Sequence, residues 1–301
     1  MTQTDVRPRR PADVGVAPPP PGRRRRVRIR RARTAGYHLF VGLISVLWLL
    51  PILLVIVTSL RSFDDIAANG VGSLPHSFTF SAFPQAWTDG GEMQAMINSL
   101  LVTIPTVLIT LALASMAAFA LSRYAIPLRR TVLLVMLAGN LLPPQILLVP
   151  VSKLSELLGI YDTLPAVIGV QIGFGLGFYT FVLQGFMRSI PAEIQQAALI
   201  DGASTWQIFL RIILPLTRPA LAALAALSFT WVFNDLLWSI TVLRTDTEMP
   251  VTPALLGLQG QYVSMWNVIA AGSVIAAIPT VAVFLRFQRH FVAGLALGAV
   301  K

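Results

Sequence analysis

Residues 38–60 read HLFVGLISVLWLLPILLVIVTSL, with no Asp, Glu, Lys or Arg among them, and Arg61 follows at once. A helix rises about 1.5 Å per residue, so roughly 20 such residues cross a hydrocarbon layer about 30 Å thick. In lipid every backbone N–H and C=O must find its partner within the chain, so an apolar run of this length is a helix. A cleaved signal peptide fits less well. The run is long for a signal's apolar region, and no small-residue cleavage motif is evident.

Working outward, five further apolar stretches follow, at approximately 96–122, 131–151, 164–187, 220–243 and 266–285. The chain of 301 residues is 55% hydrophobic and 12% charged, about half the charged share of an ordinary soluble domain. The expected fold is therefore an all-α membrane protein with six transmembrane helices over residues 37–301. Ahead of it, residues 1–36 are rich in Arg and Pro, cannot bury apolar area, and read as a disordered cytoplasmic tail.

Charge sets the orientation. With the N terminus in the cytoplasm, 20 of the 23 basic residues lie inside and only Arg61, Lys153 and Arg244 lie outside. This asymmetry puts both termini in the cytoplasm of a multi-pass protein of the cell membrane. Eleven of those basic residues precede Tyr37, but no aromatic-basic module follows them, so nucleic acid is not an expected partner. There is no cysteine, which removes disulfides, thiolate metal sites and cysteine nucleophiles. His38, His76 and His290 are far apart in sequence, so no metal site is expected. No Ser/His/Asp or paired-carboxylate constellation suggests catalysis.

The loop between the fourth and fifth stretches, about 188–219, carries more information. Pro191 suits the first position of a helix and Glu193 its positive N-terminal end. Gly202 can take the left-handed conformation that ends a helix, and Ser204 with Gln207 is a capping-box pattern that starts another. Ile194, Ala197 and Ala198 fall on one face of the first helix. Trp206, Phe209, Leu210 and Ile213 fall on one face of the second. The expectation is a short helix, a sharp turn and a separate amphipathic helix lying at the membrane surface.

Gln196-Ala197-Ala198, then Gly202, then Ile212-Ile213-Leu214-Pro215 resembles the EAA loop of ABC importer permeases, with the spacing matched throughout. Asn98-Ser99-Leu100, Pro143-Pro144-Gln145, Asn234-Asp235 and the ending Gln288 to Leu295 are similar to the carbohydrate-type, six-helix maltose-type permeases of that family. The resemblance implies that Glu193, Gln196, Ala197, Ala198, Asp201 and Gly202 form a cytoplasmic coupling helix that docks on an ATPase. It also implies a second permease subunit, a dimer of ATP-binding subunits and an extracytoplasmic solute-binding protein as partners. Gln196 departs from the family's usual Glu. Either a neutral hydrogen bond replaces an ion pair there, or Glu193, one turn earlier, takes part of the role.

The chain's two lysines, Lys153 and Lys301, follow no G-x-x-x-x-G pattern, so no phosphate-cradling loop is present. The expectation is a transport subunit without an ATPase site or cofactor of its own, with ATP bound by a partner. A self-sufficient secondary transporter is the alternative, but internal repeats and several buried ionisable groups are not evident. Glycerol-3-phosphate or another small polar solute is the alternative to a sugar.

Within the stretches, Asn140, Gln145, Asn234 and Asp235 are candidates to line a pathway, and Asp235 is the single acid expected inside the membrane. Pro143-Pro144 must break or kink the third stretch. Gly173, Gly175 and Gly177, with Gly272 and Ala276, suggest close helix packing. Trp231, Trp238 and Trp266 read as an interfacial aromatic belt rather than as sugar-stacking residues.

Overall fold

The computed structural model describes the backbone of residues 22–258 and 265–299, and the side chains of residues 34, 36–258 and 265–288. Two units divide at Leu53 and Leu54. The first is the greater part of α1 (Gly22–Ser59), which is apolar from Gly36 onward. Residues 1–21 of the expected tail lie outside the described residues, whereas 22–36 extend α1 as helix. Arginine is a good helix former, and a helix already nucleated in the apolar run can propagate back through it.

After the end of α1, the second unit continues with a loop built on α2 (Phe63–Asn69). Ser62 caps α2 by accepting from the Asp65 backbone N–H. Arg61 is fully buried here, and its guanidinium ties the loop together. Nε donates to Asp65 Oδ2 at 2.7 Å, and the terminal nitrogens donate to the carbonyls of Gly70, Val71 and Ser73 and to Ser73 Oγ. A buried guanidinium is tolerated because its donors are met.

Two helices form the centre of this unit, α3 (Glu92–Arg123) and α6 (Leu164–Ser189), packed along their length. Helix α3 buries Ser99, Thr103, Thr106, Thr110, Ala114 and Ala118 in a stripe of three- and four-residue steps. Several of its large apolar residues, Leu101, Ile104, Leu108 and Leu113 among them, face outward. That is the reverse of a soluble protein. Lipid is as apolar as leucine, so small side chains are what close packing selects. A Cβ at Gly175 would lie 3.2 Å from Thr110 Cγ2, and one at Gly177 would collide with the Met136 carbonyl. Gly173, by contrast, has open space, so the packing expectation holds for two of the three glycines.

The third stretch is two helices, α4 (Arg129–Leu141) and α5 (Leu148–Leu157), joined through a 3-10 turn at Pro144–Leu147 and bent by 93°. Pro143 forces Leu142 into extended backbone with ψ 136°, which ends α4. Counting this pair as one span, the long apolar helices give six spans, as expected from the sequence.

After α7 (Ala192–Ile200), the chain enters α8 (Thr205–Phe233). The separate surface helix expected after Gly202 does not exist. Its residues are the first turns of α8, which continues without interruption into the fifth span. Pro215 fails to break the helix because Ile208–Ile213 widen to π geometry, which relieves the clash between the proline ring and the preceding turn. Nor does the fifth span reach 243 as one helix. It stops at Phe233 and restarts as α9 (Leu237–Val242). Helices α10 (Val251–Gly257) and α11 (Trp266–Ala299) complete the unit.

Segments between the spans are pinned by side chains. Asn98 Nδ2 donates to the Thr247 and Met249 carbonyls, and Ser99 Oγ accepts from Val251 N–H at 2.8 Å. Asp162 accepts from the backbone N–H of Arg244 and Thr245 and from Thr245 Oγ1. Those three donors hold its carboxyl below the usual carboxylate range.

Candidate functional site

At one end of the second unit, α7 forms a knob. Gln195 and Ala198 are buried, while Glu193, Ile194, Gln196, Ala197, Leu199, Ile200, Asp201 and Gly202 are exposed. The face expected to unite Ile194, Ala197 and Ala198 is therefore split. Ala198 joins the core with Ala118, Met187, Ile208 and Ile213, and Ala197 points away. In a helix of nine residues held at one face, neighbours i and i+1 diverge by about 100°.

The knob is anchored from below. Arg123 at the end of α3 donates to the Met187 carbonyl at 2.7 Å, and Tyr124 donates to Thr205 Oγ1. Phe119 packs on Phe209 with ring centres 5.1 Å apart, and Trp206 packs on Phe209 at 5.4 Å. Of the four residues expected on one face, Phe209 and Ile213 are buried, whereas Trp206 and Leu210 are exposed. Gly202 turns the chain with φ +79°, and the Ser204–Gln207 capping box forms in full. What protrudes is an apolar tip, with Ile200 87% exposed, beside acidic Glu193 and Asp201.

A second feature lies among α4, α6, α8 and α9. A cavity of about 400 Å³ is lined by Asn140, Gln171, Tyr179, Ser228, Trp231 and Asp235, with Phe174, Phe178 and Trp238 also on its wall. An adjoining apolar cavity of about 440 Å³ in the crook of α4 and α5 shares Gly139, Asn140, Leu142 and Phe174. Of the four pathway candidates, Asn140 and Asp235 line the first cavity. Gln145 lies exposed in the turn before α5 and lines neither. Asn234 donates to Thr280 Oγ1 and links α8 to α11 instead.

Asp235 sits in the break between α8 and α9. Oδ2 accepts from the Ser239 N–H at 2.9 Å and from Ser239 Oγ at 3.0 Å, and Oδ1 accepts from the Trp238 N–H. It thus caps α9, which explains why the helix restarts there. Trp238 is buried and stacks on Phe174 at 4.5 Å, and Trp231 lines the cavity while 66% exposed. Both line the cavity wall; buried Trp238 is enclosed in it, whereas exposed Trp231 remains compatible with the interfacial position expected from sequence. Trp266 is exposed at the start of α11.

Glu92 was not singled out by sequence. Helix α3 begins at Glu92 rather than near 96, so this second acid is carried in as its first residue and is fully buried. The signal available was Gly90-Gly91 immediately before it, a helix-start pattern. Among the described residues no group of three or more acids and histidines is placed to hold a metal ion.

Several apolar spans, a core of small residues and a knob projecting between the fourth and fifth spans define a polytopic membrane protein. Residues 100–296 match the family described as binding-protein-dependent transport system inner membrane component, and the chain belongs to that family. It is 30% identical over 266 residues to the diacetylchitobiose uptake system permease protein NgcG of Streptomyces coelicolor, covering 88% of each chain. The trehalose transport system permease protein SugB of Mycobacterium tuberculosis is 32% identical, over 90% of this chain and 99% of its own. Among solved structures, a chain of a bacterial ABC transporter involved in importing the acidic polysaccharide alginate shares the fold at TM-score 0.76. The two chains are 24% identical, over 88% of this one and 98% of that one. Membership in this family displaces the secondary-transporter alternative, and places the protein in the inner membrane.

Proposed function

We propose that this chain is one permease subunit of an ABC importer for a sugar or oligosaccharide, forming half of the translocation pathway. The reading rests on α7. An apolar helix tip held out by buried Ala198 and an aromatic anchor has no use in lipid-free water unless another protein covers it. Glu193, Gln196, Ala197, Asp201 and Gly202 meet the cleft of a separate ATPase, and Ala198 holds the helix to the membrane domain. Gln196 contributes a neutral hydrogen bond, and acidic Glu193 and Asp201 supply the charge. ATP is bound and hydrolysed by that partner, and the chain carries no cofactor. A second permease subunit completes the pathway and a solute-binding protein delivers solute from outside. Both termini lie in the cytoplasm, as the 20-to-3 distribution of basic residues indicates. The carbohydrate assignment draws support from the substrates named for the relatives, over glycerol-3-phosphate.

The test is purification of the affinity-tagged chain from native membranes. The wild type brings down ATPase activity. Ile200→Asp, which places a charge at the exposed tip, loses it, and Leu74→Asp on the outer loop keeps it. Full ATPase recovery with Ile200→Asp contradicts the reading.

A further inference from the structure

The cavity among α4, α6, α8 and α9 has a chemical bias that the docking argument does not use. Its polar groups are the amides of Asn140 and Gln171, the hydroxyls of Tyr179 and Ser228, and the carboxylate of Asp235, against which Gln171 lies. No Lys, Arg or His lines it. Its aromatic groups have unequal freedom. Trp238 is immobilised against Phe174, whereas Trp231 presents its indole largely uncovered. Amides and a carboxylate pair well with hydroxyls, which both donate and accept, and a free aromatic face suits the C–H face of a pyranose ring. An anion meets the opposite conditions. It finds the two oxygens of Asp235, which accept three hydrogen bonds as a carboxylate does, and no cation to offset the repulsion.

We propose that this cavity is a sugar-contacting site on this subunit, selective for uncharged sugars, in which Trp231 stacks on the ring, Asn140 and Gln171 bind hydroxyls, and Asp235 excludes anionic solutes. The inference rests on the sugar-permease reading and adds the substrate's charge class and direct contact by this chain. Asp235 has two tasks here. The two bonds from Ser239 need only one acceptor oxygen, which Asn also provides, so Asp235→Asn removes the charge, keeps those bonds and gives up only the 3.4 Å bond from the Trp238 N–H. Trp231 is exposed, so Trp231→Ala does not remove core packing.

The experiment is saturation-transfer NMR on the full chain in nanodiscs, a method that reads weak binding. The neutral probes are trehalose, N,N′-diacetylchitobiose and raffinose. The anionic probes are digalacturonate and glycerol 3-phosphate. At least one neutral probe gives transfer to its ring protons, weakened about five- to tenfold in Trp231→Ala, while both anionic probes give none. With Asp235→Asn, digalacturonate gains a signal. Three results each overturn the proposal: no transfer to any neutral probe, equal transfer to neutral and anionic probes, or transfer unaffected by both Trp231→Ala and Asn140→Leu. These outcomes are independent of ATPase recovery with the Ile200 variant. Failure here with docking intact removes the site alone, and failure of docking removes the permease reading beneath it.

Discussion

Glycines at three positions do three different things. At Gly177 a side chain meets the Met136 backbone, and at Gly202 it meets open space but strains the backbone at φ +79°. At Gly173 it meets neither obstacle. Gly177→Ala should therefore destabilise the chain by about 1–3 kcal/mol through overpacking, and Gly173→Ala should be neutral. Thermal unfolding in detergent compares them, and equal shifts would contradict the packing assignment. Gly202→Val should cost about 1–2 kcal/mol and disturb the knob, whereas Gly202→Asn, which tolerates the left-handed region, should be close to wild type in ATPase recovery. If Val and Asn behave alike, bulk rather than backbone conformation governs this position. These roles were only partly legible in sequence. Spacing of the glycines in the fourth stretch points to packing, but which of them faces α4 depends on the register between two helices, which no single stretch encodes. Asp235 shows the same limit. Its cost in lipid marks it as special, but its capping role exists only because the fifth span breaks.

At the scale of elements, apolar length and turn chemistry carried most of the reading. The spans, the Ser204 cap and the left-handed Gly202 all follow from local rules. Pro143 and Pro144 break the third span as expected, while α8 runs on through Pro215, because a π-helical stretch absorbs it. Whether a helix can widen depends on what surrounds Ile208–Ile213, here a tightly buried face formed by Ile208, Phe209 and Ile213. Ser204→Ala should remove half the capping box and cost about 1 kcal/mol, read as faster amide exchange over residues 203–208. Unchanged exchange would show that tertiary packing alone holds this turn. The loop at α2 offers a pH test. Asp65, held by Arg61, Asn69 and the His76 N–H, has its carboxyl well below the ordinary range, and Asp162 is also lowered. A depressed folded-state pKa contributes stability that is present above the unfolded value near 4 and fades as pH falls toward the folded value. Amide protection over residues 61–76 and 160–163 should weaken between about pH 4 and pH 2, after correction for intrinsic exchange. Protection constant over that window would contradict the role given to these carboxylates.

At the scale of the molecule, the knob and the cavities share helices of one bundle. Ala198 packs the knob into a core shared with Ala118 of α3 and Met187 of α6; one cavity is lined by α4, α6, α8 and α9 and the other by α4, α5 and α6. Under the proposed docking, a push on α7 would reach α6, which lines both cavities. Everything depends on the side of the membrane that α7 faces. The chain has no cysteine, so Ile200→Cys and Leu74→Cys each carry a single thiol at a highly exposed position. The most direct measurement is labelling of each variant with a membrane-impermeant maleimide in intact cells and in inside-out vesicles. The thiol of Ile200→Cys should react only in the vesicles, and be protected there by the bound ATPase, while that of Leu74→Cys reacts only in intact cells. Reaction of the Ile200→Cys thiol from outside intact cells would contradict the account.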